Sequence, residues 1–264
     1  MRCLIAVLAL LAAPAAAHEF WIDPHDFRID PGDAAVADIR VGEKLEGVAY
    51  RYVPRNFRRF DIVTGAETRP VEGRAGDRPA LDMALETPGL SVVVHVSRDH
   101  DLTYTEWQKF VDFCAHKDFD WAVERHLDRG LGKEVVRERY SRHAKSLIAV
   151  GEGAGADRQV GLVAEIVARA NPYTDALDGR FPVTVYHEGA PRPDAQVEVF
   201  ERAPDGSVTV SLYRTDAEGH AEIAVTPGHM YLVDHVVMRE LPVTSPDDPA
   251  WESLWASLTF EVPG

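Results

Sequence analysis

The sequence has little cysteine and, beyond its start, no long apolar run. Only two cysteines occur among 264 residues, and Cys3 lies in a segment that we expect to be removed. Cys114 then stands alone, which excludes an internal disulfide and a Cys-x-x-Cys zinc site. No later run approaches the roughly 20 apolar residues of a membrane helix, so we expect no insertion of the processed chain into a membrane.

Basic residues are scarce relative to acidic ones. The chain has 28 Lys and Arg against 43 Asp and Glu, a formal net charge of −15. A surface of this sign argues against nucleic acid and anionic lipid as partners. Four basic residues nevertheless follow closely on one another, at Arg137, Arg139, Arg142 and Lys145. They either hold an anion or dock on the protein's own acidic surface, and we expect the second.

The usual marks of two hydrolase classes are also missing. The sequence contains neither Gly-x-Ser-x-Gly nor His-Glu-x-x-His, the motifs of serine hydrolases and zinc proteases. Its carboxylates are so numerous that chance acid–base pairs are unavoidable. On these grounds the sequence predicts a binding protein and not an enzyme.

The first 17 residues have the three parts of a secretory signal. Arg2 supplies the positive start, and residues 4–11 form an apolar core that is too short to span a bilayer. Ala15 and Ala17 then provide the small residues of a cleavage site. We therefore predict a periplasmic protein whose first residue is His18.

A terminal His18 has a ligand set that no internal residue can offer. Its free α-amine and a ring nitrogen can bind one metal ion together, and nitrogen-rich sites favour copper and nickel. The alternative is that signal peptidase simply cuts before a histidine. In an extended chain Glu19 points away from His18, so we expect a solvated carboxylate there, or one that supports the site from outside.

A second histidine, His95, lies in a strand-like segment. Alternation over residues 90–97 places Leu90 and three valines on one face and His95 on the other. We predict His95 as a second metal ligand, with an exposed or hydrogen-bonded strand histidine as the alternative. The sequence leaves open whether four further histidines join the site, namely His25, His100, His187 and His235.

Alternation and turn signals predict a mainly β chain with two antiparallel β-sandwiches joined by a helical connector. The N-terminal sandwich is expected at 18–100, the connector at 101–150 and the C-terminal sandwich at 151–264. The turn rhythm of the last segment resembles the transthyretin-like and collagen-adhesin B-type sandwiches, which belong to the wider Ig-like class.

Local signals divide the connector further. Thr103 and Glu106 match a capping box ahead of an apolar helical face at 107–114. Further helices are predicted at 121–129 and near 133–145. Residues 151–157 have the composition of a flexible loop or linker.

Several segments resemble one bacterial family. They are the opening His-Glu-Phe-Trp-Ile-Asp-Pro, residues 140–147, Asn171-Pro-Tyr173 and residues 251–260. They are similar to the family named domain of unknown function 4198, whose members are described as periplasmic components of cobalt or nickel transport. The resemblance covers nearly the whole processed chain and implies metal handling. An aromatic residue is usual in the family at the position of His143, which argues against His143 as a shared ligand.

The combined expectation is a periplasmic binding protein for nickel, cobalt or copper. The metal ion is its ligand, and a membrane or outer-membrane metal transporter is a candidate partner. Two alternatives stay open. One is an adhesion-like interaction module without a metal. The other is a copper oxidase acting on polysaccharide through the terminal histidine, which needs a flat aromatic face such as Trp21, Tyr50 and Tyr52 would make.

Overall fold

The computed structural model describes residues 18–264; residues 1–17, where the secretory signal is predicted, lie outside the described part of the chain. Nine strands precede the helices: β1 (Glu19–Pro24), β2 (Arg28–Ile29), β3 (Ala34–Glu43), β4 (Glu46–Tyr50), β5 (Phe57–Thr64), β6 (Glu67–Pro70), β7 (Leu81–Ala84), β8 (Gly89–Ser97) and β9 (His100–Tyr104). A short 3₁₀ turn lies at Pro54–Asn56. The helices are α1 (Trp107–His116) and α2 (Asp120–Asp128). The later strands are β10 (Val136–Val150), β11 (Ala164–Ala168), β12 (Arg180–His187), β13 (Ala190–Pro191), β14 (Gln196–Arg202), β15 (Val208–Arg214), β16 (His220–Ala224), β17 (Met230–Glu240) and β18 (Trp251–Glu261).

A central sheet connects the two halves of the sequence. Its strand order is β15-β14-β17-β18-β10-β8-β5-β6, and β2 and β9 also pair with β10. β10 and β18 pair in parallel, from Glu138 with Trp251 to Ser146 with Thr259. The short β2 is also parallel to β10. The prediction of purely antiparallel sandwiches is therefore wrong at β10, where residues 151–250 supply the long connection that a parallel pair requires.

Two smaller sheets cover opposite faces of the central sheet. One is β1-β3-β4 with β7 beside β3, and the other is β11-β12-β13 with β16 beside β12. Strand β8 separates them, because Val93 packs into the core under the first and Val92 and Val94 into the core under the second. Full burial of such side chains contributes about 1.5–3 kcal/mol each. The chain is thus mainly β with sheets packed face to face, as the alternation predicts.

The helices lie on the same face as the sheet that contains β1. Phe110, Phe113 and Cys114 of α1 pack with Trp251 and Trp255 of β18, so the predicted apolar helical face is confirmed. The capping box is wrong, because α1 begins after Glu106, which makes no side-chain capping hydrogen bond. Within residues 18–264, no helix is long and apolar enough to cross a membrane.

The helix predicted near residues 133–145 is a second error. Residues 136–150 form the long strand β10, which lies between β18 and β8 in the central sheet. Most of its charged side chains have partners there, as Glu138 has in the Tyr104 and Ser253 hydroxyls. The central sheet takes strands from all three predicted segments, so the boundaries at 100 and 150 stay a prediction.

The glycine-rich segment 151–157 is held in place, contrary to the flexible linker expected from its composition. Asn171 Nδ2 donates hydrogen bonds to the carbonyl oxygens of Gly153 and Gly155, at 2.8 and 2.9 Å. Asp157 lies 2.7 Å from the buried Lys145 ammonium. Gly153 has φ +65°, and a Cβ there would lie 2.5 Å from the Cβ of Ala149. The glycine at position 153 thus reflects the close approach of this segment to Ala149, which only glycine permits.

Candidate functional site

Strand β1 positions the amino-terminal residues by its alternation. Phe20 packs into the core under the first small sheet, whereas Trp21 packs in a different cluster. Glu19 pairs with Gly42 of β3, and the continued antiparallel register brings His18 next to Glu43. The His18 Nε2 lies 3.8 Å from the Glu43 Oε1. The His18 side chain is 57 % exposed and the Glu43 side chain is 50 % exposed.

His18 stands at the edge of a cavity of about 360 Å³, the His18 cleft. The cleft lies between the start of β1, helix α1 and the strands β9, β10 and β18. The side chains that define it are His18, Tyr104, Lys109, Glu138, Arg142 and Trp255. A cationic and aromatic wall therefore faces the residue that the sequence predicts as the first of the processed chain.

A buried carboxyl group lines the His18 cleft. Glu138 accepts a hydrogen bond from the Tyr104 hydroxyl at 2.7 Å and another from the Ser253 hydroxyl. The Ser253 Oγ in turn accepts the indole N–H of Trp255 at 2.9 Å. Burial raises the pKa of Glu138 to about 7, against the effect of the two hydroxyl donors. This group can therefore hold or release a proton near neutral pH.

Glu19 is buried, so of the two interpretations expected from the sequence, a solvated carboxylate is wrong and a carboxylate that supports the site from outside stays a prediction. Its Oε2 accepts a hydrogen bond from the Lys44 backbone N–H at 3.0 Å. Burial and then the charge of Asp234 raise the pKa of Glu19 to about 8, although the nearby Lys117 acts in the opposite direction. The Glu19 carboxyl thus faces a buried charge cluster in which Lys117 forms ion pairs with Glu198 and Asp234.

His95 lines a second cavity, the His95 cleft, of about 580 Å³. It lies on the predicted face of β8, with its ring between Phe20, Phe57 and Phe60 at centroid distances of 5.2 to 5.5 Å. Burial, and then the charge of Arg142, lower the pKa of His95 to about 3. Its Nδ1 is buried and has no hydrogen-bond partner among residues 18–264. The alternative to a metal ligand, an exposed or hydrogen-bonded strand histidine, is thus not found at His95.

The two predicted metal ligands line different cavities. Tyr140 and Arg142 line both clefts and stand between them, while His18 lines only the first and His95 only the second. Within the described residues 18–264, no three His, Cys, Asp or Glu side chains are grouped so as to hold a metal ion. The chelate predicted for a free His18 uses its α-amine, which is not a side-chain group.

The four histidines whose part in the site the sequence leaves open have separate surroundings. His100 lines the His95 cleft and stacks on Tyr140, with ring centroids 5.1 Å apart. His25 lies 3.5 Å from Asp38, and His187 lies 3.9 Å from Glu188. The His235 Nδ1 lies 2.8 Å from the Gln196 carbonyl oxygen, and burial lowers the pKa of His235 to about 3. None of the four lines the His18 cleft.

The basic group on β10 is divided in a way that the sequence did not reveal. Arg137 lies 3.1 Å from Asp247, Arg139 lies 3.9 Å from Asp101, and Lys145 contacts two buried carboxylates. These three dock on acidic partners, as expected. Arg142 does not: it forms no ion pair within residues 18–264, and its Nε is buried without a hydrogen-bond partner. In the sequence, Arg142 differs from the other three basic residues only in its even residue number, which places it on the same face of β10 as Tyr140.

The aromatic face that a polysaccharide oxidase needs is not formed by the three predicted residues. Trp21 is fully buried and Tyr52 is nearly so, whereas Tyr50 is 48 % exposed. The Tyr52 hydroxyl donates to the Val71 carbonyl oxygen at 3.1 Å. Tyr52 packs into the core under the first small sheet and Trp21 into a separate cluster, so no flat surface joins the three rings.

The segments that carry the family resemblance occupy the centre of the fold. Residues 140–147 lie in β10 and residues 251–260 in β18, the parallel pair of the central sheet, and Asn171 holds the glycine-rich segment. The sequence profile of the domain of unknown function DUF4198 matches residues 15–239. The chain belongs to this family.

Other comparisons add little to the DUF4198 assignment. No curated protein sequence matches the chain significantly. Among solved structures, the D0-D1 domain of intimin is 15 % identical, with 92 % of this chain and 97 % of that chain covered and a TM-score of 0.22. A tetra-tandem repeat from the extending region of a large adhesion protein is 10 % identical, with 93 % and 50 % covered and a TM-score of 0.23. Neither similarity supports a conclusion about this chain.

Proposed function

We propose that the processed chain is a periplasmic binding protein that captures a divalent transition metal, nickel, cobalt or copper, at a free His18. The observation that supports the proposal best is the contact of 3.8 Å between His18 Nε2 and Glu43 Oε1. A terminal histidine chelates through its α-amine and Nδ1, which leaves Nε2 free to donate to a neighbour. Metal-binding histidines usually donate that second N–H to a carboxylate or a carbonyl, and Glu43 is the carboxylate near Nε2, at a distance longer than a hydrogen bond.

His18 fits the metal better than His95 does. The His18 ring is 57 % exposed and stands at the edge of its cleft. The His95 ring is buried among aromatic side chains, and the positive charge of Arg142 beside it opposes the approach of a divalent cation. We therefore assign the chelate to His18, supported by Glu43, and give His95 no part in it in this arrangement.

Capture and delivery need reversible binding and no reaction. Imidazole and amine must lose their protons to bind, so affinity should fall as the pH drops toward the histidine value of roughly 6.5. Intrinsic affinity favours Cu(II) over Ni(II) and Co(II). The physiological ion then depends on supply and on the partner, for which a membrane or outer-membrane metal transporter is our candidate.

The test is titration calorimetry of periplasmic protein, whose start at His18 is first checked by intact mass. Ni(II), Co(II) and Cu(II) are titrated into the unaltered protein and into a form with one alanine inserted before His18. The insertion keeps every side chain and moves the amine, so we expect loss of tight binding. Unchanged affinity in the extended protein would reject the proposal.

Three substitutions test which side chains take part in metal binding. Glu43→Gln should weaken metal binding by about 10- to 100-fold, as removal of such a partner typically does. Glu46→Gln is the matched control, because Glu46 pairs with Glu43 across the β3–β4 hairpin and makes no contact with His18. His95→Phe should leave the affinity within a few-fold of the original.

The finer fold description belongs to the same proposal. We propose that residues 18–100 and 151–264 form two Ig-like or transthyretin-like sandwiches that share β10 and β18 between them. The two separate cores, one under β1-β3-β4 and one under β11-β12-β13, support this division. The segment 101–150 then contributes two helices and the central strand β10 in place of a purely helical connector.

A further inference from the structure

Arg142 is a partly buried cation without a counter-ion. Its guanidinium carbon lies 5.3 Å from the centroid of the Phe20 ring and 5.1 Å from that of Tyr140. Burial lowers its pKa, and within residues 18–264 its Nε has no hydrogen-bond partner. Buried charges in proteins are normally paired. The Arg142 guanidinium, unpaired in a chain with a net charge of −15, is therefore free to bind an anion that comes from outside.

The cavity beside Arg142 has the charge that such an anion needs. Arg51 and Arg78 stand at the exposed rim of the His95 cleft, and no carboxylate is among the residues that line it. The three arginines form no ion pairs within the described chain, although Arg51 donates to the Gly76 carbonyl oxygen. His95 adds a buried Nδ1 that also lacks a partner. The cleft thus concentrates unpaired donors in an otherwise acidic protein.

The residues that line the His95 cleft indicate which chemical group the ligand carries besides its negative charge. Phe20, Phe57, His95 and Tyr140 give it an aromatic lining, and its volume of about 580 Å³ is within the usual range for small organic ligands. A planar guanidinium matches a carboxylate in a two-point contact. Only one of the three arginines is deep in the cleft, which suits one carboxylate better than a doubly charged phosphate.

We propose that the His95 cleft binds a small aromatic carboxylate, with the carboxylate on Arg142 and the ring against the aromatic lining. The site is separate from the metal chelate at His18, because His18 does not line this cleft. Binding of the carboxylate to the His95 cleft is measured with EDTA present, so the measured affinity does not depend on whether His18 binds a metal.

The test uses three related probes that differ in one feature each. 3-Phenylpropionate has both charge and ring, 3-phenylpropanamide lacks the charge, and propionate lacks the ring. Calorimetry and saturation-transfer NMR should detect binding of the first, with at least about tenfold weaker binding of the other two. Inorganic phosphate is the fourth probe and should bind more weakly than 3-phenylpropionate.

Substitutions then place the ligand. Arg142→Gln should weaken 3-phenylpropionate binding by at least about thirtyfold, whereas Arg139→Gln, on the same strand and near Asp101, should not. Arg78→Gln at the rim should weaken binding several-fold, and Lys109→Gln in the His18 cleft should leave it unchanged.

Stability separates a ligand-binding role from a structural one. Arg142→Gln removes an unpaired buried charge, so its Tm without ligand should equal or exceed that of the unaltered protein while binding is lost. Equal binding of acid and amide, phosphate binding as tight as that of 3-phenylpropionate, or full binding by the Arg142→Gln protein would each overturn the proposal. If Arg142→Gln lowers the Tm, the Arg78→Gln and Lys109→Gln pair decides: equal effects reject the His95 cleft as the site.

Discussion

Replacing His95 by phenylalanine should remove one source of acid sensitivity from the protein. His95 already packs as an aromatic ring, within 5.5 Å of Phe20, Phe57 and Phe60. A phenyl ring therefore keeps the shape of the packing and removes the titratable group. Any constant change in stability caused by the larger ring affects all pH values alike, so the pH dependence isolates the imidazole.

The expected magnitude follows from the difference between the folded and unfolded proton affinities. Burial and Arg142 lower the pKa of His95 from 6.5 to about 3 in the folded protein. The stability that this provides is complete above pH 6.5 and is lost as the pH falls from 6.5 toward 3, because only the unfolded chain binds the proton there. At about 1.4 kcal/mol per pH unit, the loss reaches about 2 kcal/mol at pH 5.

Urea unfolding at pH 7.5 and pH 5.0 measures this loss. Between the two pH values, His95→Phe should lose about 2 kcal/mol less free energy of unfolding than the unaltered protein. His143 and His235, which burial also makes less basic, are common to both proteins and cancel. His220→Gln, in an exposed position, is the matched control. Equal losses in the His95→Phe and unaltered proteins would refute a buried, neutral His95.

Two further predictions concern buried charges away from the clefts. Lys145→Met leaves Asp157 and Glu165 without their shared cation, so thermal or urea unfolding should show a free energy of unfolding lower by about 3–5 kcal/mol. The triple variant that adds Asp157→Asn and Glu165→Gln should recover much of this stability, and no recovery would contradict the charge argument. Glu19→Gln should gain stability relative to the unaltered protein as the pH rises from 4.5 to 8, by up to a few kcal/mol. The raised pKa of Glu19 means that in this range the unfolded chain releases the proton while the folded protein keeps it, which favours unfolding of the unaltered protein. Unfolding at pH 5 and pH 8.5 measures the difference, and a parallel pH dependence would count against it.

The strands with regular alternation could be predicted from the sequence, and the charged strand could not. Residues 196–202 and 208–214 alternate and are strands with those bounds. Strand β10 carries charges on both faces, and its burial depends on partners from distant segments, such as Tyr104 and Ser253 for Glu138. Local patterns contain no information about those partners, so the charged stretch resembled an exposed helix.

The candidate site was predictable only in part. The face of His95 on β8 followed from the period of two, whereas its aromatic surroundings come from β1 and β5. The contact of His18 with Glu43 depends on the register of β1 against β3, which sequence alone does not specify. Arg142 was indistinguishable from three neighbouring basic residues, because the presence or absence of an ion pair is a property of tertiary structure.

The position of β18 has a consequence for how the chain reaches its folded state. β18 lies between β17 and β10 and, in the part of the chain from residue 18 onward, is the only strand that joins the group β15-β14-β17 to the group β10-β8-β5-β6. Until residues 251–261 insert, each group has an open, apolar strand edge, the kind of edge that promotes aggregation. Its parallel partner β10 precedes it by more than a hundred residues, and pairings of such separation form slowly. We therefore expect closure of the sheet late in folding, and until then both edges are open to pairing with other chains.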